Sequence, residues 1–120
     1  MTILTINGKL KLKFFIDYFK KALIQLINYE PEISTNGSDF NCFIILYSEN
    51  DYNVFDVIRI LVKYCSNFRA VVEEEVDYES GLSSPNSFLS VYYYWDGKNL
   101  KGCYMDYFGS HYENVNFLLD

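Results

Sequence analysis

The sequence predicts a single domain of the α/β or α+β class, with one mixed, mostly antiparallel sheet and two helices packed on one face. Three observations support this prediction. Apolar residues recur at helical spacing in two segments, an apolar run of strand length lies between these segments, and strand-like segments fill the C-terminal half. The predicted order is β-α-β-α-β-β-β over residues 1–120, with no internal repeat and no long linker.

The N-terminal third is predicted to contain a strand at residues 2–6, a turn at Asn7-Gly8 and then the first helix. The helix is predicted from apolar residues that are spaced three and four apart. They are Leu12, Phe15, Phe19, Leu23, Leu26 and Ile27. The helix should end near Asn28, because Pro31 disfavours helical conformation at the residue before it. Residues 32–39 are rich in Ser, Asn and Gly and are predicted to form a loop.

The middle of the chain is predicted to hold a strand at residues 40–47, which is apolar enough to be covered on both faces. Residues 48–51 offer several capping side chains before a second helix. The apolar stripe of that helix is Val54, Val57, Ile58, Leu61 and Cys65. An acidic strand follows at residues 69–79, and a loop at residues 81–86.

A hairpin is predicted from residues 88–95 and 100–108 around Asp96-Gly97. A two-residue turn places Tyr93 opposite Leu100, and a four-residue loop keeps the same residues on the same face. Tyr92 and Tyr94 then lie on the face opposite Tyr93. The tail at residues 109–120 has no clear pattern, although Phe117, Leu118 and Leu119 are expected to dock on the body.

The charge is unevenly distributed along the chain. The net charge is −6, yet residues 1–29 carry five lysines and one aspartate, whereas residues 30–120 carry fifteen acids against five basic residues. An acidic body repels nucleic acid and anionic membranes, and it attracts cationic partners. The same acidity also keeps a tyrosine-rich protein soluble. We therefore expect a protein partner, with no direct contact to nucleic acid or membrane.

The three cysteines, Cys42, Cys65 and Cys103, are widely spaced and form no C-x-x-C pair. This pattern is typical of reduced, buried thiols in the cytosol. The sequence shows no signal-peptide pattern and no apolar run of the ~20 residues needed to span a bilayer. We therefore expect a soluble, cytoplasmic protein.

Catalytic and metal-binding readings are weaker than binding readings. His111 is the only histidine and could serve as the base for Cys103 or Cys65, but no spacing requires it. The cysteines match no zinc spacing, and no calcium or phosphate-binding loop is present. A magnesium nuclease or a glycosidase would use carboxylates such as Glu73 and Glu75, but the first lacks a nearby lysine and the second needs a larger cleft. The sequence predicts no catalytic residue, no metal and no cofactor.

The acidic strand is the first candidate binding surface. Alternation places four carboxylates on one strand face about 6.6 Å apart, where they can meet Lys and Arg side chains. They are Glu73, Glu75, Asp77 and Glu79. The alternative is a solvated edge strand that charge protects from aggregation. Glu74 points the other way, and either pairs with a base such as Arg69 or lies beyond the edge of the core.

The second candidate surface is formed by Tyr92 and Tyr94, because exposed tyrosines are enriched in binding hot spots. The alternative is that these rings only pack across strands.

The acidic segment at 73–79 and the hairpin aromatics, in a chain of this size and charge, resemble the immunity proteins of contact-dependent inhibition and other polymorphic toxin systems of bacteria. That resemblance implies a non-enzymatic protein that neutralises a basic, nuclease-type toxin by occluding its active site. A phage-type nucleic-acid mimic, or an adaptor that uses the aromatic hairpin, is the alternative.

Overall fold

The structure is a computed structural model, which describes residues 2–46, 54–75, 88–106 and 109–119. These residues form seven strands, two α-helices and a short 3-10 helix. The strands are β1 (Thr2–Leu10), β2 (Glu32–Asn36), β3 (Asp39–Leu46), β4 (Cys65–Glu75), β5 (Phe88–Trp95), β6 (Leu100–Asp106) and β7 (Gly109–Asn114). The helices are α1 (Phe15–Ile27), α2 (Val54–Tyr64) and the 3-10 helix Asn116–Leu119.

The seven strands form one sheet in the order β2-β3-β1-β4-β5-β6-β7, and every neighbouring pair is antiparallel. β1 and β2 run parallel to each other with β3 between them, and β3 and β4 are related in the same way around β1. α1 and α2 make these two connections, which is a split βαβ arrangement. β5, β6 and β7 extend the sheet as a meander. The predicted α+β fold with a mostly antiparallel sheet is confirmed, with two strands more than the sequence predicted.

Both helices pack on one face of the sheet and form one core with its buried residues. α1 contributes Phe19, Leu23 and Ile27 to this core, and α2 contributes Val57, Ile58 and Leu61. The alternating strand residues that meet them include Leu4, Ile6, Phe40, Cys42, Ile44, Phe68, Ala70 and Val72. Among the described residues, neither helix is long and apolar enough to cross a bilayer.

The limits of the helices follow local signals. α1 ends where predicted, because Asn28 adopts a left-handed conformation with φ of 63° and donates its N–H to the Ile24 carbonyl. Leu12, which the sequence placed in the apolar stripe, precedes α1 and is 47% exposed. Cys65 is buried as predicted, but it is the first residue of β4 rather than part of α2. The predicted capping residues 48–51 and the predicted loop 81–86 lie outside the described residues.

The predicted turn at Asn7-Gly8 is wrong, because β1 continues through both residues to Leu10. A Cβ built on Gly8 would lie 2.5 Å from the Asn67 carbonyl oxygen and 2.7 Å from the Phe68 Cβ. The glycine therefore permits close approach of β4, next to the register shift between Lys9 and Leu10.

The segment predicted as a loop at residues 32–39 contains β2 and a tight turn at Gly37, whose φ is 65°. β2 begins directly after Pro31, which has no N–H to continue the ladder. The Tyr29 hydroxyl bonds to the backbone of β3 instead, since it accepts the Ile45 N–H at 2.6 Å and donates to the Ile45 carbonyl at 3.0 Å. A side chain thus satisfies the edge of β3 where β2 is missing.

The predicted hairpin is present, with a four-residue loop because Trp95 pairs with Leu100. The Asp96 carboxylate accepts the backbone N–H groups of Lys98 and Asn99 at 2.8 and 2.7 Å. These two hydrogen bonds lower the pKa of Asp96, and the one from Asn99 has the larger effect. The unassigned tail adds β7 to the sheet. Leu119 packs on the core as expected, whereas Phe117 is 68% exposed.

Candidate functional site

The face of the sheet opposite the helices is the candidate site, and we call it the open face. The burial of β3 alternates strictly over most of its length, so one set of its side chains enters the core and the other set does not. β1 shows the same alternation. Because both α-helices lie on the core side, the described residues leave the open face exposed. Binding residues on this face have to come from several strands at once.

The strand register aligns one row of polar side chains across the open face, which we call the polar row. Successive pairing brings together Asn7, Arg69, Tyr94, Lys101 and Asn114, from β1, β4, β5, β6 and β7. Arg69 and Lys101 flank Tyr94 on the two neighbouring strands. The Arg69 guanidinium lies over the Tyr94 ring, with 5.6 Å from its central carbon to the ring centroid. The polar row is therefore cationic around an aromatic centre.

A second row lies two residues along the strands, and we call it the aromatic row. Its members are Phe43, Thr5, Val71, Tyr92, Cys103 and Tyr112, from β3, β1, β4, β5, β6 and β7. Tyr92 is 45% exposed and Tyr112 is 71% exposed, whereas Cys103 between them is buried. A side-chain hydrogen bond with Cys103 raises the pKa of Tyr112. The aromatic row thus presents ring surface to solvent above a small floor residue.

The two rows border a groove of about 780 Å³, which we call the open-face groove. Arg69, Val71, Tyr92, Tyr94, Lys101, Cys103 and Tyr112 are among the residues that line it. No Asp or Glu of the described residues contributes to its walls. Its volume lies within the range of about 300–1,000 Å³ that is usual for small-ligand sites, and its lining combines rings, apolar side chains and two cations.

The structure brings together some of the sequence-predicted site residues. Tyr92 and Tyr94 lie side by side on the open face, as expected. Glu73 is half-buried on the same face, opposite Ser90, and Glu75 pairs with Phe88 at the end of β4. Asp77 and Glu79 lie outside the described residues. The acidic segment therefore begins on the open face next to the aromatic row.

Glu74 lies on the core-side face, where Val72 is buried, but Glu74 itself is exposed. Arg69 is on the opposite face and lies over the Tyr94 ring, so it does not pair with Glu74. Of the two alternatives open for this carboxylate, the structure shows the one in which it lies beyond the edge of the core.

The strand register also shows whether Cys103 and His111 can form a catalytic pair. Cys103 pairs with Tyr112, so the neighbouring His111 points to the other face of the sheet. A Cys103–His111 dyad therefore cannot form in this arrangement. Burial raises the pKa of the Cys42 and Cys65 thiols to about 12, which keeps them protonated and unreactive. No group of three His, Cys, Asp or Glu side chains within the described ranges is placed to hold a metal ion.

Sequence reasoning missed Arg69, Lys101 and Tyr112 as site residues, and it considered Cys103 only as a nucleophile. Arg69 had been considered only as a partner for Glu74, and β7 had no recognisable pattern. The sequence did contain one indication of Lys101, because a four-residue hairpin loop places Lys101 beside Tyr94, whereas a two-residue turn places Asn99 there.

No family model matches this chain, and no curated protein or solved structure shows significant similarity to it.

Proposed function

We propose that this chain is a non-enzymatic immunity protein, which binds a cognate toxin through its open face and occludes the active site of that toxin. The observation that carries the proposal is the exposure of Tyr92, Tyr94 and Tyr112 on one sheet face whose reverse side is packed by helices. Tyrosine offers a large and rigid contact surface with a polar tip, and it is enriched among residues that dominate binding energy. A rigid sheet positions these rings before the partner arrives.

The acidic segment supplies the second part of the proposed interface. Glu73 and Glu75 begin it at the end of β4, and the sequence continues with Asp77 and Glu79. A nuclease-type toxin holds its nucleic acid with lysines and arginines, and these carboxylates are the complement of such a surface. The charges then raise the association rate, and the tyrosines set the lifetime of the complex.

The placement of the reactive side chains favours binding over catalysis. Cys103 and His111 lie on opposite faces, and the Cys42 and Cys65 thiols stay protonated because burial raises their pKa. Three free cysteines also support our proposal that the protein acts in the cytoplasm. The overall charge of −6 favours a protein partner over nucleic acid or membrane.

Affinity capture followed by a growth assay tests this function. The tagged chain is used to capture its partner from the native lysate, at about 0.1 M and about 1 M salt. The gene of the captured partner is then expressed in a bacterial host, alone and together with this chain. We expect the partner alone to arrest growth, and co-expression of the wild-type chain to restore it.

Matched variants assign the rescue to the proposed surface. Tyr92→Ala combined with Tyr94→Ala should abolish rescue, and so should Glu73→Lys combined with Glu75→Lys. Tyr18→Ala and Asp17→Lys alter exposed residues of α1 and should rescue fully. A captured partner that is harmless when expressed alone would contradict immunity. In that case, loss of capture in the double tyrosine variant would favour the adaptor function.

A further inference from the structure

The open-face groove has the opposite charge to the rest of the molecule. The chain has a net charge of −6, yet the groove carries Arg69 and Lys101 and no carboxylate of the described residues. Neither cation forms a salt bridge within the described part of the chain. Two cations that form no salt bridge, placed on an aromatic surface, are suited to binding an anion.

The register fixes the spacing of this anion site. Arg69 and Lys101 occupy the strands on either side of Tyr94, so their backbones are about 9.6 Å apart and their side chains can converge above that ring. A guanidinium can donate two parallel hydrogen bonds to one carboxylate. Lys101 can donate a third bond from the other side. This spacing allows Arg69 and Lys101 to bind the same carboxylate.

The aromatic row lies about 6.6 Å from the polar row, because two residues of a strand separate them. An extended peptide has the same repeat between side chains i and i+2. A peptide that runs along β5 thus places one side chain over Tyr94 and the next side chain on the same face over Tyr92. Tyr92, Val71 and Cys103 form an apolar seat for that second side chain.

We infer that the open-face groove binds an extended acidic segment, with an Asp or Glu held between Arg69 and Lys101 and an apolar side chain two residues away on the aromatic row. This inference rests on the proposed function and names the chemistry of the partner segment. It also requires the partner to carry both negative and positive charge at the interface. Arg69 and Glu73 lie four residues apart on β4, which is about 13 Å, so the partner presents an acid at one end and bases at the other.

Short peptides of defined sequence test the inference without the partner. Acetyl-Glu-Thr-Phe-amide is titrated into the ¹⁵N-labelled chain, and backbone amide shifts are followed by NMR. We expect saturable shifts at Arg69, Tyr94 and Lys101 in the wild-type chain. The Gln-Thr-Phe and Lys-Thr-Phe analogues should bind at least about tenfold more weakly, because they cannot accept charged hydrogen bonds.

Matched variants locate the binding site. Arg69→Gln and Lys101→Gln should each weaken the acidic peptide severalfold, whereas Lys21→Gln on the exposed side of α1 should leave its affinity unchanged. The amide spectrum of each variant also shows whether it is folded. Equal binding of the three peptides, or no shift with any of them, would overturn the inference, and so would shifts confined to residues outside the groove.

Failure of this inference is distinguishable from failure of the proposed function. If the peptides do not bind while the double tyrosine variant loses growth rescue, the immunity function stands and only the acidic segment is wrong. If the acidic peptide binds but the captured partner is not toxic, the groove is an anion site and the immunity function is wrong.

Discussion

Arg69 and Tyr94 face each other across the β4–β5 pair, with the guanidinium carbon 5.6 Å from the centroid of the tyrosine ring. This contact is the link between the two candidate surfaces that the sequence suggested. On the open face, Glu73 lies four residues further along β4. Alternation along β4 places Arg69 on the open face and Glu74 on the opposite side of the sheet, where it is exposed.

The Arg69–Tyr94 contact should be measurable as a coupling energy. At an exposed site, a cation–π contact contributes about 0.5–1 kcal/mol. We therefore expect a double-mutant cycle of Arg69→Ala and Tyr94→Ala, read by urea unfolding, to give a coupling of that size. A cycle of Arg59→Ala with Tyr94→Ala is the control, because Arg59 lies on α2 and pairs with Asp56. Equal coupling in the two cycles would contradict the contact.

Much of the fold could be predicted because the spacing of apolar residues indicates which segments form helices and strands. The stripe of α1 and the hairpin around Asp96-Gly97 depend on neighbours close in sequence, and both are present. β2 was missed because its side chains are mostly exposed, so it has no apolar alternation to recognise. The turn at Asn7-Gly8 was predicted wrongly because glycine favours turns and also permits close contact between strands. Only the position of β4 in the fold distinguishes the two roles.

The candidate site was only partly predictable, for a different reason. Tyr92 and Tyr94 share a face through simple alternation, which the sequence shows directly. Arg69 and Lys101 join them only through the register of three strands, and that register depends on a loop length that the sequence left open. Tyr112 belongs to β7, a strand that no local pattern revealed. Residues that come together by the pairing of strands distant in sequence, such as Arg69 and Tyr94, are not indicated by their spacing.

Gly8→Ala should destabilise the protein by about 1–3 kcal/mol, because the new methyl group would overlap backbone atoms of Asn67 and Phe68. Urea unfolding measures this loss. Gly102→Ala is the matched control, since its Cβ would meet Tyr93 and Val115 only at 3.6 Å. We expect that control to be neutral or slightly stabilising. A Gly8 variant as stable as the Gly102 variant would mean that β4 does not approach β1 as described.

The buried thiols should make stability fall in alkaline solution. Burial raises the pKa of Cys42 from 9.0 to about 12. In the unfolded chain this thiol ionises above pH 9, while the folded protein keeps it protonated, so the free energy of unfolding decreases as the pH rises from about 9 towards 12. The decrease is about 1.4 kcal/mol per pH unit for each such thiol.

Urea unfolding below and above pH 9 tests this pH dependence against a Cys42→Ala variant, which should show a shallower decrease by that amount. All other ionisable groups are common to the two proteins, so the difference between the two slopes reports the thiol. Parallel slopes would show that Cys42 is not shielded from solvent. Alkylation by iodoacetamide gives a second readout, since Cys42 and Cys65 should react only after unfolding.

The last prediction concerns Asn116, which fastens the C-terminal segment to the hairpin. Its side-chain oxygen accepts the buried Leu100 N–H at 2.7 Å, and its amide donates to the Asn99 side chain at 2.9 Å. Asn116→Ala leaves the Leu100 N–H without its acceptor, which should cost about 1–3 kcal/mol in urea unfolding. Asn116→Asp keeps an acceptor for Leu100, although it replaces the bond to Asn99 with a contact between two oxygens, so it should cost less than Asn116→Ala. Equal losses in the two variants would show that the acceptor is not what holds this segment, and that the docking of Leu119 on the core carries it instead.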